Sequence, residues 1–257
     1  MFKTPLFWKK KSIISFFFLP FSFFYYLGYR IYRLSKKEVE IGKPVICVGN
    51  LVIGGGGKTP LAIKIRQLLS KDFSKIFVLT RGYLGKNKGP LIVKKTMHFQ
   101  DVGDESLIHA NFGSTCVSKN KVEGAKLCKK NGADLIILDD GLQSINVKKK
   151  MSLLVIDSFY GTKNRFIFPS GPLRQPTKDA LELCDAIIIL DKNFTKKKYE
   201  FISHKNIYTG YRELKFSKNI KSKVIAFSAL GNNQNFFESL LDHKVKVEEF
   251  ISFPDHH

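Results

Sequence analysis

Gly57-Lys58-Thr59, preceded by glycines at 54, 55 and 56 and followed by Pro60, is a set of residues suited to holding a nucleoside triphosphate. Such a loop needs glycines so that backbone N–H groups can approach phosphate oxygens. It also needs a lysine for the β- and γ-phosphates and a Ser or Thr hydroxyl for Mg²⁺. Lys58 and Thr59 supply the last two. The spacing departs from the usual signature, because the position five before Gly57 is Val52 rather than glycine. We read a variant phosphate loop over Gly54, Gly55, Gly56, Gly57, Lys58, Thr59 and Pro60.

A second candidate is "DLIILDDGLQS". An apolar strand ending in Asp139-Asp140 has the form of the carboxylate that holds Mg²⁺ directly or through water. Asp104 and Glu105 in "DVGDESLIHA" open an expected helix, where acidic residues also serve as caps and as partners of the helix dipole. Arg81 in "LTRGYLG" and Arg174 in "FPSGPLRQP" are placed to position an anionic substrate, although strand and turn ends carry such residues for structural reasons too. His256 and His257 at the terminus read equally as a tag remnant or as a source of a catalytic imidazole.

These residues need a frame. The runs "PVICVG" (44–49), "KIFVLT" (75–80), "DLIIL" (134–138), "SLLVID" (152–157) and "AIIIL" (186–190) are short and continuously apolar. They predict strands of a parallel sheet covered on both faces. Mixed-polarity stretches at 58–70, 104–112, 121–132 and 177–183 predict the helices between them. The expected fold is α/β, a P-loop NTPase-like and mostly parallel sheet with helices on both faces, its ligands at the carboxyl ends of the strands. "KVIAFSALGNNQNFFESLL" (223–241) and "KVEEFISF" (246–253) predict a smaller strand–helix–strand lobe. The expected division is an anchoring segment over 1–40, a P-loop core over 41–214 and a partial lobe over 215–257. The stop at Asp255-His256-His257 gives the expectation that this lobe is short or lacks a closing portion.

The first 40 residues differ from the rest. No Asp or Glu precedes Glu38, and Ile13 to Tyr29 is dominated by Phe, Tyr, Ile and Leu. Seventeen residues span roughly 25 Å as a helix, against a bilayer core of about 30 Å. The first alanine is Ala62, so a small-residue signal-cleavage site is not expected. Three readings remain: a single span, a helix lying in one leaflet with aromatics and basic flanks at the interface, or a buried core helix. Pro20 is a candidate kink. The net charge of +21, mostly from lysines spread along the chain, is compatible with nucleic acid or an anionic membrane and by itself selects neither. Cys47, Cys116, Cys128 and Cys184 form no CxxC pair and read as small buried residues of a reducing compartment.

Taken in order, "VGNLVIGGGGKTP", "LTRGYLG", "VGDESLIHA", "DLIILDDGLQ", "FPSGPLRQP" and "FPDHH" closely resemble the tetraacyldisaccharide 4'-kinase family, whose loop similarly reads Gly-Gly-x-Gly-Lys-Thr-Pro. The resemblance implies transfer of the γ-phosphoryl of ATP, with Mg²⁺, to the 4′-hydroxyl of a tetraacylated glucosamine disaccharide 1-phosphate in lipid A biosynthesis. It also implies work at the cytoplasmic face of the bacterial inner membrane, with residues 12–34 docked on its lipids. By the same resemblance Lys58 and Thr59 contact phosphate and Mg²⁺, and Asp139 and Asp140 are metal-associated. Asp104 is the general base, with His256 as its partner. Glu105 joins the metal site, and Arg81, Lys121, Gln143 and Arg174 the substrate site. This chain departs from the family pattern at Ser144, Gln175 and Lys121, where His, Glu and Arg are common.

Two rival readings share some of these features. A membrane-associated P-loop ATPase or GTPase, acting as a switch or metallochaperone, would keep the loop and the aspartates without a sugar acceptor. No Asn-Lys-x-Asp base-reading motif accompanies the loop, which counts against the GTPase version. A nucleic-acid ATPase is suggested only by charge, and no binding module accompanies it, so no nucleic-acid partner is expected.

Overall fold

A computed structural model of the protein describes residues 5–254 except 55, 159–163, 203–205, 215, 217–219, 221 and 232. The chain opens with α1 (Leu6–Lys9), α2 (Ile13–Phe17) and α3 (Leu19–Ser35). It then alternates through β1 (Val45–Asn50), α4 (Lys58–Leu69), β2 (Ile76–Thr80), β3 (Leu91–Ile92), α5 (Phe99–Val102), α6 (Asp104–Phe112), β4 (Thr115–Val117), α7 (Lys121–Lys130), β5 (Leu135–Asp139), β6 (Met151–Asp157), α8 (Thr177–Glu182), β7 (Ala186–Leu190) and β8 (Ile207–Gly210). A smaller unit follows: β9 (Val224–Ser228), α9 (Asn233–Asp242) and β10 (Val247–Ser252).

The main sheet runs β3-β4-β2-β5-β1-β6-β7-β8, parallel except where β3 pairs antiparallel with β4 at one edge. All five strands expected from apolar runs are present and lie side by side as β2-β5-β1-β6-β7. Their continuous apolarity has a direct cause, since side chains alternate between two covered faces. Leu135 and Ile137 pack with α4 residues such as Ala62 and Ile65, whereas Ile136 and Leu138 pack with α7 and α8 residues such as Ala125 and Ala180. The four cysteines are free and buried in this core. The smaller unit has its own core of Ala226, Leu240 and Val245. Asn233 ties its turn together by accepting from Ser228 Oγ (2.7 Å) and the Leu230 N–H (2.8 Å). Lys192, just after β7, pairs with Asp242 of the smaller unit, and Arg212, just after β8, pairs with Asp157 at the end of β6.

The N-terminal helices are not part of the core. Ser12 and Ser15 form a reciprocal capping box at the start of α2. The helical run breaks at Phe18, and Pro20 sits in the first turn of α3, where a missing N–H costs nothing. The expected kink is therefore a break between two helices. Burial here is inverted relative to an ordinary amphipathic helix. Ser15 and Ser22 are buried, while Ile13 (88% exposed), Phe17 (71%), Phe24 (68%) and Leu34 (83%) face outward. The buried hydroxyls have polar partners: Ser22 Oγ donates to the Ile167 carbonyl at 2.8 Å and meets Ser170 Oγ at 2.7 Å. Tyr25 OH donates to the Arg174 carbonyl at 3.0 Å, and Arg33 pairs with Asp179. The core-helix reading is thus corrected, because the segment holds the 166–179 stretch through these polar groups and through edge-on contacts of Trp8, Phe16 and Tyr25 with Phe166 and Phe168, and leaves most of its apolar side chains exposed. Among the described residues no helix is long and apolar enough to cross a membrane.

Candidate active site

The phosphate loop lies at the carboxyl end of β1, between Asn50 and the first residue of α4, Lys58. Val52, which stands where the usual signature has glycine, is buried and forms an antiparallel bridge with Leu173. The Ile53 N–H donates to the Pro172 carbonyl, and the Arg174 N–H to the Leu51 carbonyl, both at 2.8 Å. The first half of the loop is stapled to residues 172–174 and buries an apolar side chain there, so no glycine is needed at 52. The need for glycine falls later. Gly57 adopts a left-handed φ of 76°, and a Cβ on it would lie 2.4 Å from Leu190 Cδ1. A Cβ on Gly56 would strike Asn50 Nδ2 at the same distance, while Gly54 also has positive φ (112°). Gly55 lies outside the described residues. Pro60 is in the first turn of α4, where its missing N–H would have had no intrahelical partner.

Two carboxylates face this loop. Asp139 ends β5 almost fully buried, and its Oδ2 accepts from Thr59 Oγ1 at 3.0 Å. Its Oδ1 is buried without a hydrogen-bond partner among the described residues. Asp140 follows in a left-handed conformation (φ 58°), which turns its carboxylate toward cations. Both its oxygens accept from Arg174 Nη1 at 2.9 Å, and Lys58 Nζ lies 3.6 Å from Oδ1. Burial alone would raise the Asp140 carboxyl, but Lys58, Arg174 and Lys121 hold it well below the ordinary carboxylate range. Asp140 thereby fixes Lys58 and Arg174 at the loop. The Arg174 carbonyl in turn takes the Tyr25 hydroxyl, which links the N-terminal helix to the site.

Asp104 and Glu105 are the first two residues of α6, after Gly103 (φ 81°), and the Glu105 N–H donates to Asp104 Oδ1 at 2.9 Å. The helix is tied to the strand ends at two points. Ser106 Oγ meets Thr80 Oγ1 at 2.7 Å at the end of β2, and His109 Nε2 lies 2.8 Å from Asp139 Oδ2 at the end of β5. The acidic pair is therefore carried on a helix held against the same sheet edge as the phosphate loop. Arg81, directly after β2, is exposed. Gln143 is half-buried and donates to the Asn50 carbonyl at 3.2 Å. His256 and His257 lie outside the described residues.

For Lys121 the resemblance implies a place in the substrate site. It is 5% exposed and donates to the Leu79 carbonyl at 3.2 Å, so it serves as an internal charge among Asp139, Asp140 and the strand ends. Burial pulls its ammonium down to about 8, although both aspartates oppose the shift. Above that value the folded chain releases a proton that the unfolded chain keeps, so stability rises with pH. Between about pH 7.5 and 9.5 the gain is about 2 kcal/mol. Lys121→Met removes it. Urea denaturation at the two pH values should show the wild type gaining that amount over the variant, and an unchanged difference would contradict the assignment.

His109 is a further site residue, inside the "VGDESLIHA" stretch but outside the residues expected above. The available signal was its place one helical turn after Glu105, on a helix opened by two acids. Asn50, whose side chain donates to the Gly54 carbonyl at 3.4 Å, also belongs to the loop and has no local signal of it.

Mg²⁺ with nucleotide phosphates takes one or two protein oxygens and completes its shell with phosphate and water. The orphaned Asp139 Oδ1 and the adjacent Thr59 hydroxyl meet that requirement. No cluster of three or more His, Cys, Asp or Glu suited to a metal occurs among the described residues, so an all-protein cage is not what this site offers.

The family model described as tetraacyldisaccharide-1-P 4'-kinase matches residues 14–257. The chain is similar to a tetraacyldisaccharide 4'-kinase of Paramagnetospirillum magneticum, 35% identical over 99% of this chain and 80% of the relative. It is also similar to one from Parvibaculum lavamentivorans, 36% identical over 93% and 71%. Among solved structures it resembles the "apo" form of LpxK from Aquifex aeolicus in complex with ATP, with a TM-score of 0.80 and 30% identity over 95% of this chain and 83% of that one. The phosphate loop, the paired aspartates and the acidic helix start thus sit within a match that spans nearly the whole sequence, and the chain belongs to the tetraacyldisaccharide-1-P 4'-kinase family.

Proposed function

We propose that this chain transfers the γ-phosphoryl group of ATP to the 4′-hydroxyl of a tetraacyl disaccharide 1-phosphate in lipid A biosynthesis. The observation that carries the reading is Asp140, which clamps Lys58 and Arg174 at the phosphate loop, in a chain that matches the family over residues 14–257. A sugar hydroxyl is a poor nucleophile, so the reaction depends on alignment and charge neutralisation. Lys58 and the loop N–H groups hold the transferring phosphates. Asp139 Oδ1 and the Thr59 hydroxyl would hold Mg²⁺, which when bound neutralises phosphate charge. Asp104, at the start of α6, takes the proton of the acceptor hydroxyl, and His256 is its proposed partner. Arg81 and Gln143, at the ends of β2 and β5, are proposed to position the anionic acceptor. Labelled ATP supplied with Mg²⁺ and the disaccharide in detergent should yield labelled lipid. Label released only as free phosphate would favour the ATPase switch.

The open apolar face of α2 and α3 supports a second part of the proposal, attachment to one leaflet of the inner membrane at its cytoplasmic face. Aromatic and aliphatic side chains that no protein element covers lose unfavourable contact with water when they enter the acyl boundary. A Phe17→Asp/Phe24→Asp variant is expected to bind anionic vesicles at least about tenfold more weakly in co-sedimentation. Wild-type binding by the variant would contradict this part of the account.

A further inference from the structure

His109 is fully buried in α6, and its ring has one hydrogen-bonded neighbour among the described residues: Nε2 lies 2.8 Å from Asp139 Oδ2. That oxygen also accepts from Thr59 Oγ1 at 3.0 Å. The other carboxylate oxygen, Oδ1, and the other ring nitrogen, Nδ1, have no partner among the described residues. An ionised carboxylate only accepts, so the imidazole nitrogen facing it carries the proton. Two donors from two elements thus converge on one oxygen of Asp139, and the second oxygen is left without a partner.

We infer that His109 is a positioning residue, whose Nε2–H fixes the plane of the Asp139 carboxylate so that Oδ1 is kept for the cation that accompanies ATP. This inference deepens the nucleotide site described above and rests on that reading. The histidine is itself held. Its backbone carbonyl accepts from Arg66 Nη1 at 2.9 Å, and Arg66 is buried in α4, the helix that begins with Lys58 and Thr59. A displaced α4 would therefore disturb Thr59 and His109 together, the two donors to Oδ2. With His109 removed, only the Thr59 hydroxyl holds Oδ2. The carboxylate is then free to turn about its terminal torsion, which is broad and roughly two-fold. The two oxygens would exchange roles, and the cation would lose a preorganised ligand. Groups that orient a metal ligand from behind in this way are commonly worth 10–100-fold in metal affinity.

The test is calorimetric binding of a non-hydrolysable ATP analogue to the full chain, with Mg²⁺ and with EDTA, for wild type, His109→Leu and His109→Gln. The readout is the ratio of the two dissociation constants, which a loss of packing alone would not change selectively. His109→Leu is expected to reduce the Mg²⁺-dependent gain in affinity by about tenfold or more, with the EDTA value within about threefold of wild type. His109→Gln, whose amide N–H reaches the same oxygen, is expected to restore most of that gain. Should His109→Leu fail to fold by circular dichroism, His109→Asn takes its place, since its amide is too short to reach Oδ2. A Mg²⁺-dependent gain in the Leu or Asn variant equal to wild type would overturn the inference and leave the nucleotide site standing. A wild type whose nucleotide affinity is indifferent to Mg²⁺ would also overturn the inference, whereas a wild type that binds no analogue in either condition would overturn the nucleotide-site reading and this inference with it.

Discussion

Lys58→Ala is expected to lower kcat for phosphoryl transfer by about a thousandfold while leaving the KM for the lipid acceptor within about threefold. Lys58 is only 8% exposed, at the positive end of α4, and Asp140 holds its ammonium 3.6 Å away. Its position is set before any nucleotide arrives, which is what makes a charge effective on a transferring phosphoryl group. Lys58 is assigned to the nucleotide phosphates and not to the sugar acceptor, so the acceptor's affinity should change little. The variant has a second signature. Asp140 loses one of the two cations in contact with it, and its strongly depressed carboxyl moves back up toward the ordinary range. Lys58→Arg should not rescue, because a planar guanidinium does not replace a compact ammonium in a buried slot. Initial rates with saturating ATP separate kcat from KM. A loss smaller than about tenfold would remove Lys58 from the reacting centre.

Arg66→Ala is expected to lower the unfolding free energy by about 3 kcal/mol, since buried carbonyls lose charged hydrogen bonds worth about 1.5–3 kcal/mol each, offset in part by the desolvation cost that Arg66 bears. Arg66 is 5% exposed and donates to the carbonyls of His109 (2.9 Å), Ile76 (3.3 Å) and Ser114. It binds α4 to the start of β2, to α6 and to the turn before β4. Burial pulls its guanidinium down to about 10, so it stays charged at neutral pH while bearing a desolvation cost. Truncation leaves interior carbonyls short of a donor and a cavity beside them. Arg66→Met, which refills most of the volume but offers no donors, should recover only part of the loss. Urea denaturation with an unchanged m-value checks both. A cost below about 1 kcal/mol for Arg66→Ala would mean that these carbonyls find other partners.

The central strands were legible because a fully covered parallel sheet demands continuous apolar runs, and "VICVGN", "IFVLT", "LIILD", "SLLVID" and "AIIIL" have that form. The edge strands were not. β3 and β4 have two and three residues, too few for any period to show, and β8 is largely exposed and carries no apolar run. Within the site, Lys58, Thr59, Asp139 and Asp140 are legible because each ends or begins an element beside glycines or an apolar strand. Val52 is puzzling as a letter and is explained only by Leu173, more than a hundred residues later, to which it bridges. Lys121 is the opposite case: the resemblance marks it for the substrate site, but its burial has no local signal and comes from the packing of α7 against β2 and β4. His109 required knowing that α6 lies against the end of β5. The inverted N-terminal helices were readable as aromatic and basic, but their polar grip on Ile167, Ser170 and Arg174 is a tertiary property with no local signal.

The most direct test of the central claim is the position of the new phosphate on the product. The full chain, given ATP, Mg²⁺ and a tetraacyl disaccharide 1-phosphate, should form a lipid carrying a second phosphomonoester. Phosphorus–proton correlation NMR should couple that phosphorus to the proton on carbon 4′, and Lys58→Ala should yield almost none of it. A phosphate on any other hydroxyl, or ATP consumed with the disaccharide unchanged, would contradict the account.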